Sequence, residues 1–512
     1  MSARTRLAVV AAVFAAGLLG WSVGGYLGAA VGVLAGVLAA VIRWWRLPLW
    51  SWWALFRRRN HPIELDEPIT VANDRSGGGV RYQEHVAIVA VQVLGKAHTP
   101  TLFTGSAAAV TENTVDLGAL RELLQHSLGL TVESLSLVTA GARRRATGDY
   151  PRVYDTLIGT PPYAGQRESW LIARIATFPN ADALQWRISA GSAALAVAQR
   201  ISAELRERGV RAKVATATDI VEMERRIGAA ALGAGRQKWR SVRGDQGWLT
   251  TYWYRPQDIT PETMDQAWSL RVDGVIQNWT LFADGTATAT VTVRTAQPPT
   301  APPSVIMRTL PGEQAAAVAA SLCGPTPALR RIRRGPAPSA LPVPVGASGV
   351  LIGKVGAGDR MMLPFSDPGE FSRVHIAADD VVAKRLVVRT AGAGDRITIH
   401  TRDPQRWATV RMPDIAVTEG TRPAAGTTVS VTDGVLAPAP RPNTLISIGR
   451  PGEPARGTPD VTITQIGPAT VEVRAAGWVR IVEVELFRAE NRYVSAEPTS
   501  MFDERELVEE RR

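Results

Sequence analysis

The stretch that decides the architecture is residues 7–42, LAVVAAVFAAGLLGWSVGGYLGAAVGVLAGVLAAVI, which holds 36 residues without a charged side chain. One straight helix of that length would extend about 54 Å at 1.5 Å per residue, well beyond the roughly 30 Å hydrocarbon core of a bilayer. The stretch therefore divides at Trp21-Ser-Val-Gly24-Gly25-Tyr26, where paired glycines weaken a helix and two aromatic rings suit a membrane–water interface. Two spans follow, about Leu7 to Ser22 and about Leu27 to Trp45, joined as a transmembrane hairpin. Gly17, Gly20, Gly24, Gly28, Gly32 and Gly36 recur at spacings of three or four. They supply small-xxx-small faces on which the two spans, or a partner helix, approach closely.

Flanking charge sets the orientation. Arg4 and Arg6 precede the first span, Arg43, Arg46, Arg57, Arg58 and Arg59 follow the second, and the turn has none. By the positive-inside rule both ends face the cytoplasm, making a multi-pass protein of the plasma membrane with its soluble domains inside the cell. The first acidic side chain is Glu64, so these seven arginines account for most of the formal net charge of +11. What remains is spread thinly, a poor basis for a nucleic-acid surface. The second span runs into Arg43-Trp-Trp-Arg-Leu-Pro-Leu-Trp-Ser-Trp-Trp-Ala-Leu-Phe-Arg-Arg-Arg59. Here Arg43, Trp44, Trp45, Arg46, Trp50, Trp52, Trp53, Arg57, Arg58 and Arg59 read as an interfacial collar, with indoles at headgroup level and guanidiniums on anionic lipid phosphates.

A chain of 512 residues leaves room for two or three folded units beyond this segment. Apolar content of 45% with 21% charged residues excludes wholesale disorder. The single cysteine, Cys323, excludes an internal disulfide framework and a multi-cysteine metal site. The bias of 53 Arg against 5 Lys speaks of a GC-rich genome and carries no mechanism.

The fold class expected is mixed α/β (α+β) soluble domains after the two-helix hairpin. The division reads 1–60 hairpin and collar, 61–295 an α/β domain, 296–344 a proline-rich linker with a short helix at Gly312 to Leu322, 345–490 a strand-rich domain, and 491–512 a charged tail. In the first domain, Glu84 to Leu94 is a buried strand, and Asp116 caps a helix carrying Leu117, Leu120, Leu124 and Leu128. Trp170 to Thr177, Ser192 to Arg208 and Val210 to Thr216 form a βαβ unit. Asp219-Ile-Val-Glu222 resembles a capping box, and Asp284-Gly285 joins a hairpin of Trp279 to Ala283 and Thr286 to Arg294. In the second domain, Leu386-Val-Val-Arg389, Arg396 to His400, Val461 to Thr464 and Val479 to Phe487 read as strands, with a helix starting near Asp403-Pro404.

Motifs of catalysis are sparse. Ser348-Gly-Val-Leu-Ile-Gly353-Lys354-Val355 lacks the first glycine and the final Ser or Thr of a phosphate loop. Gly356-Ala-Gly-Asp-Arg360 and Gly392-Ala-Gly-Asp-Arg396 lack the third glycine of a dinucleotide fingerprint. His61, His85, His98, His126, His375 and His400 have no metal-ligand spacing, and no His-Glu-x-x-His or Gly-x-Ser-x-Gly occurs. Asp379-Asp380 is the best acidic pair, read as a charged turn. No catalytic residue, cofactor or metal is expected.

The glycine-rich hairpin, the Trp/Arg collar, His98-Thr-Pro-Thr-Leu-Phe103, Val345-Gly-Ala-Ser-Gly-Val-Leu-Ile-Gly353 and Met362-Leu-Pro-Phe365 together resemble the EccE family, membrane components of mycobacterial type VII (ESX) secretion systems. The resemblance implies a peripheral, non-enzymatic scaffold subunit in a complex with EccB, EccC and EccD, the energy coming from the ATPase EccC. It supplies no catalytic residues to carry over. Two other classes stand beside it: a membrane-tethered transferase using the α/β domain, and an anchored lipid-binding regulator.

Overall fold

The computed structural model describes residues 3–41, 43–44, 47–58, 61–72, 76–105, 107–356, 358–434, 436–475 and 477–494. It is a mixed α/β protein, with an apolar N-terminal helix and two twelve-stranded sheets. Helix α1 (Ala3–Val41) is interrupted at Gly24 (φ −143°, ψ 23°) and Gly25 (φ 55°, ψ −139°), the second a conformation that favours glycine. Among the described residues, Val9–Ala40 is the one helical stretch long and apolar enough to cross a membrane. Helix α2 (Leu49–Arg58) follows.

The first sheet runs in the order Val242–Gly244, Gly247–Trp253, Thr286–Thr295, Gly274–Phe282, Ser134–Ala142, Gln166–Ala176, Val86–Val93, Gly77–Gln83 and Ile69–Ala72, with three short strands off this path. Strand alternation puts Ala87, Val89, Val91 and Val93 in one core with the Ala190–Glu207 helix, and Ile88 and Ala90 in the opposite one with the Ala217–Ile227 helix. The buried strand expected over 84–94 is therefore buried on both faces. Gln166–Ala176 and Ala212–Val214 both pair antiparallel to Val86–Val93, so they run parallel to each other with that strand between them. The Asp284-Gly285 hairpin is present, Gly285 taking φ 79° and Asp284 Oδ1 accepting the Thr286 N–H at 2.9 Å.

Two local expectations shift here. The segment after Asp116 forms 3₁₀ turns, Ala119–Leu124 and Ser127–Gly129, in place of an α-helix. The Asp116 carboxylate accepts from Gly118 N and Leu341 N, and Leu128 takes φ 57°, which breaks the register and leaves Leu128 exposed. The cap of the Ala217–Ile227 helix is Thr216, and Asp219, the third residue of its first turn, is its partner, closing the capping box.

Residues 296–344 are built into the first unit. Arg174, fully buried, donates to the carbonyls of Ala320, Leu322 and Gly324 and to Ser136 Oγ. Its desolvation brings the guanidinium down to about 10. Leu310, Leu322 and Cys323 are buried, and Pro342–Pro344 pairs with Thr114–Asp116.

The second sheet has a parallel half and an antiparallel half. Ile415–Thr418, Ile397–His400, Val429–Thr432, Thr444–Gly449, Ser372–Ala377 and Val461–Gln465 lie side by side and parallel. Thr470–Ala475, Trp478–Glu483, Val350–Val355 and Asp359–Leu363 continue it antiparallel, and Thr101–Thr104 and Ala108–Thr111 complete it from far upstream. The Tyr150–Ile158 helix also packs into this second core. The second sheet thus takes chain from both sides of residue 345, while every strand of the first lies before it.

The segment Leu386–Arg389 lies inside a helix, Asp380–Ala393, where the sequence pattern reads as a strand. Asp379 caps it, its Oδ1 accepting the Val382 N–H at 2.9 Å. Because residues 382–393 are all buried, the helix shows no amphipathic period, and its valines imitate a buried strand. The helix expected from Asp403-Pro404 is also absent: a turn leads to a single 3₁₀ segment, Ala408–Val410. Residues 350–355, the imperfect phosphate-loop stretch, are a strand whose backbone pairs with Asp359–Leu363.

Candidate functional site

The glycines of α1 come together across the interruption at Gly24-Gly25. A Cβ built on Gly20 would lie 2.0 Å from Gly28 O, and one on Gly32 would lie 2.2 Å from Ala16 O. Gly17 meets Val33 Cγ2 at 2.8 Å and Gly36 meets Val13 Cα at 3.1 Å on the same construction. Contacts between residues 13–20 and 28–36 in reverse order mean that the two halves of α1 lie antiparallel, backbone against backbone. Gly24 has nothing near it and serves only the break. Trp21 and Tyr26 flank the break with ring centroids 4.5 Å apart, edge to face.

Helix α2 has two unlike sides. Trp53 and Phe56 are exposed, and the Arg57 guanidinium lies 4.9 Å from the Trp53 ring. Trp52 turns toward the first unit: its ring sits 5.5 Å from Trp239, with the Arg331 guanidinium 5.1 Å from its centroid. Together with Tyr252, Pro299 and Pro302 these rings border a cavity of about 510 Å³. Arg331 belongs to the basic run 330–334, which therefore packs against α2 and, through Arg334, 3.5 Å over Phe282. Of the other collar residues, Arg43 and Trp44 form a two-residue strand opposite Leu47–Pro48, and Trp50 and Arg58 lie in α2. Trp45, Arg46 and Arg59 lie outside the described residues.

Past α2 the chain is anchored at once. Ile63 N donates to Leu232 O at 3.0 Å, and Ile63 and Leu65 pack on the second face of the first sheet. Beneath them Arg81 and Glu224 form a buried ion pair, Nη2 to Oε2 2.9 Å. The same Arg81 donates to Cys323 O, and burial pushes the Cys323 thiol up to about 12. A thiol so held is inert.

The remaining chemistry-bearing residues are placed as follows. His126 donates from Nε2 to Leu123 O at 2.9 Å, and burial, with Arg200 next, pushes its imidazole down to about 4. His98 bonds Pro364 O at 2.9 Å. His375 and His400, 25 positions apart in sequence, come to one cavity, together with Asp379 and Asp380. Pairing of the parallel strands joins them, a relation with no sequence signature. Among the described residues no group of three or more His, Cys, Asp or Glu side chains is arranged to hold a metal ion.

Comparison with known proteins matches residues 163–254 to the family model "Putative type VII ESX secretion system translocon, EccE". The chain is 51% identical to the ESX-2 secretion system protein EccE2 of Mycobacterium tuberculosis, over 97% of each chain. The chain belongs to the EccE family. Two further members are more distant: the ESX-1 protein EccE1 of M. tuberculosis, 27% identical over 63% of this chain and 65% of its own, and the ESX-5 protein EccE5 of Mycobacterium marinum, 29% identical over 22% and 28%. In this EccE-family chain the matched segment runs from the start of the Gln166–Ala176 strand through both helices to Gly247–Trp253. The family model thus covers one central strand of the first sheet, two strands at its edge, and the helices that pack on its two faces.

Proposed function

We propose that this chain is a non-enzymatic structural subunit of a type VII secretion membrane complex of ESX-2 type, supporting protein export across the inner membrane. The observation that carries the reading is the match to EccE2 over 97% of both chains, which includes the membrane segment as well as both sheets. The two halves of α1 are its membrane anchor, a hairpin whose glycine contacts hold the spans together. Both termini and both sheets lie on the cytoplasmic side, in keeping with arginines before and after the hairpin and none at its turn. EccB, EccC and EccD subunits are its partners. The collar lies at the lipid interface through Trp53, Phe56 and Arg57, while Trp52 fixes the first unit beneath it.

Topology tests the anchor. With Cys323→Ala as background, cysteines at Ser2 and at Ser76 should both resist a membrane-impermeant thiol reagent in intact cells. Labelling of one and not the other would establish a single crossing. Purification in mild detergent should bring down the EccB, EccC and EccD subunits; recovery of the chain alone counts against the scaffold reading.

A further inference from the structure

The parallel half of the second sheet carries a feature that a scaffold does not require. Parallel sheets are usually apolar on both faces because helices cover both. Here one face follows that rule, with Ile399, Val431, Ile446, Val374 and Val461 buried in the second core beside the Asp380–Ala393 helix. The other face is polar. His400, Thr432, Ser447 and His375 are Cα partners from strand to strand, a row across four neighbouring strands near their carboxyl ends. All four line a cavity of about 600 Å³. The crevice outside the carboxyl ends of the strands is where open α/β sheets bind ligands, and the volume suits a small molecule.

The hydrogen-bonding capacity of the lining decides the ligand's chemistry. Both imidazoles are fully engaged: His400 with Gly420 O and Ser430 Oγ, His375 with Ser447 Oγ and Glu453 O. His375 thereby holds the Glu453 loop that walls the cavity, and His400 ties its strand end to Gly420. The five carboxylates are engaged too. Asp379 accepts from Val382 N, Asp403 from Arg406 N and Glu453 from Arg450 N. Asp380 accepts two bonds from Arg406, and Asp433 accepts from Thr401 Oγ1 and Trp407 Nε1. Arg402, Arg450 and Arg456 also line the cavity, and among the described residues their guanidiniums make no hydrogen bond or ion pair. Three planar, permanently charged forks with unspent donors at one mouth match the oxygens of a phosphoryl group.

We propose that this cavity binds a small phosphorylated molecule, its phosphate oxygens held by Arg402, Arg450 and Arg456 at the carboxyl ends of the parallel strands. The site is independent of the membrane anchor and assigns the second unit a ligand in addition to its place in the complex.

The test is calorimetric titration of the full chain in detergent with inorganic pyrophosphate and with ADP. Saturable binding of at least one probe is expected. The combined variant Arg402→Gln, Arg450→Gln and Arg456→Gln should weaken it by at least about tenfold, since each lost contact is charge-assisted. A control of equal charge change, Arg152→Gln, Arg225→Gln and Arg480→Gln at exposed positions elsewhere, should bind as the unaltered chain does. All six positions are solvent-facing arginines, and an unchanged thermal midpoint verifies that each triple variant is folded. Failure of the unaltered chain to bind either probe at millimolar concentration overturns the proposal. Equal binding by the two triple variants overturns it as well.

Discussion

Gly20 and Gly28 meet backbone to backbone, so that a Cβ on either residue would lie 2.0 Å from the carbonyl oxygen of the other. No side chain fits at that separation. The recurrence of glycine every three or four residues thus has a steric cause: in lipid, where no hydrophobic force drives one helix onto another, close backbone approach supplies the dispersion contacts that hold them. Gly25, at φ 55°, supplies the reversal that brings the two glycines face to face.

Gly28→Leu combined with Gly32→Leu should separate the two halves of α1, because both positions face backbone oxygens within 2.2 Å of where a Cβ would sit. Co-purification of partner subunits should fall several-fold and secretion with it. The thermal midpoint of the folded units should be unchanged. Normal recovery of the complex would mean that the glycine contacts do not support assembly.

Trp52→Ala removes the ring that Trp239 and Arg331 hold. An aromatic pair contributes about 0.5–1.5 kcal/mol beyond its buried area, enough to loosen α2 from the first unit without unfolding either. Limited proteolysis between α2 and residue 69 should accelerate, while Trp53→Ala, altering the exposed side of the same helix, should leave the cleavage rate unchanged.

Arg389 and Glu490 form an ion pair that is fully buried, two bonds of 2.8 Å, with Tyr150 Oη also donating to Glu490 at 2.8 Å. Glu490→Ala strands a buried guanidinium and should cost about 3–5 kcal/mol by urea denaturation, whereas adding Arg389→Met should restore most of the loss. A cost below 1 kcal/mol for the single variant would show the pair to be unimportant.

His126 makes stability depend on pH. Burial, then the charge of Arg200 and of Arg187, depresses its imidazole to about 4 in the folded chain, against about 6.5 for an unperturbed histidine. The contribution is therefore present above pH 6.5 and is lost as the pH falls toward 4, because the unfolded chain takes up the proton first. His126→Gln keeps a donor for Leu123 O and should flatten the fall in urea midpoint between pH 7 and pH 4.5. An identical slope in both proteins would count against the assignment.

Asp379→Asn with Asp380→Asn should leave assembly and secretion near normal. Asparagine caps a helix about as well as aspartate, and the half-exposed Asp380–Arg406 pair, 2.6 Å, is worth about 1 kcal/mol or less. Loss of secretion with the complex intact and the second unit folded would give these carboxylates a catalytic or ligand-binding role.

Much of this protein was legible without coordinates. The charge-free run with its central Gly24-Gly25, the strand at 86–93, the Ala190–Glu207 helix ended by Gly209 and the Asp284-Gly285 hairpin all rest on interactions between near neighbours, or on a period of two or 3.6. Leu386–Arg389 reads as a strand for the same reason in reverse: it lies in a helix buried on every side from Val382 to Ala393, which has no period to read.

What the amino-acid sequence determined by itself is the membrane segment, its basic flanks and the mixed α/β character of the rest, since each follows from composition or local spacing. Tertiary structure alone decided that Thr101–Thr104 and the Tyr150–Ile158 helix join the second core, that Trp52 faces Trp239, and that His375, His400, Arg402 and Arg450 share one cavity. Those are pairings between segments tens to hundreds of residues apart. They are chosen by which surfaces exclude water best when the whole chain collapses, and the local sequence carries no record of that choice.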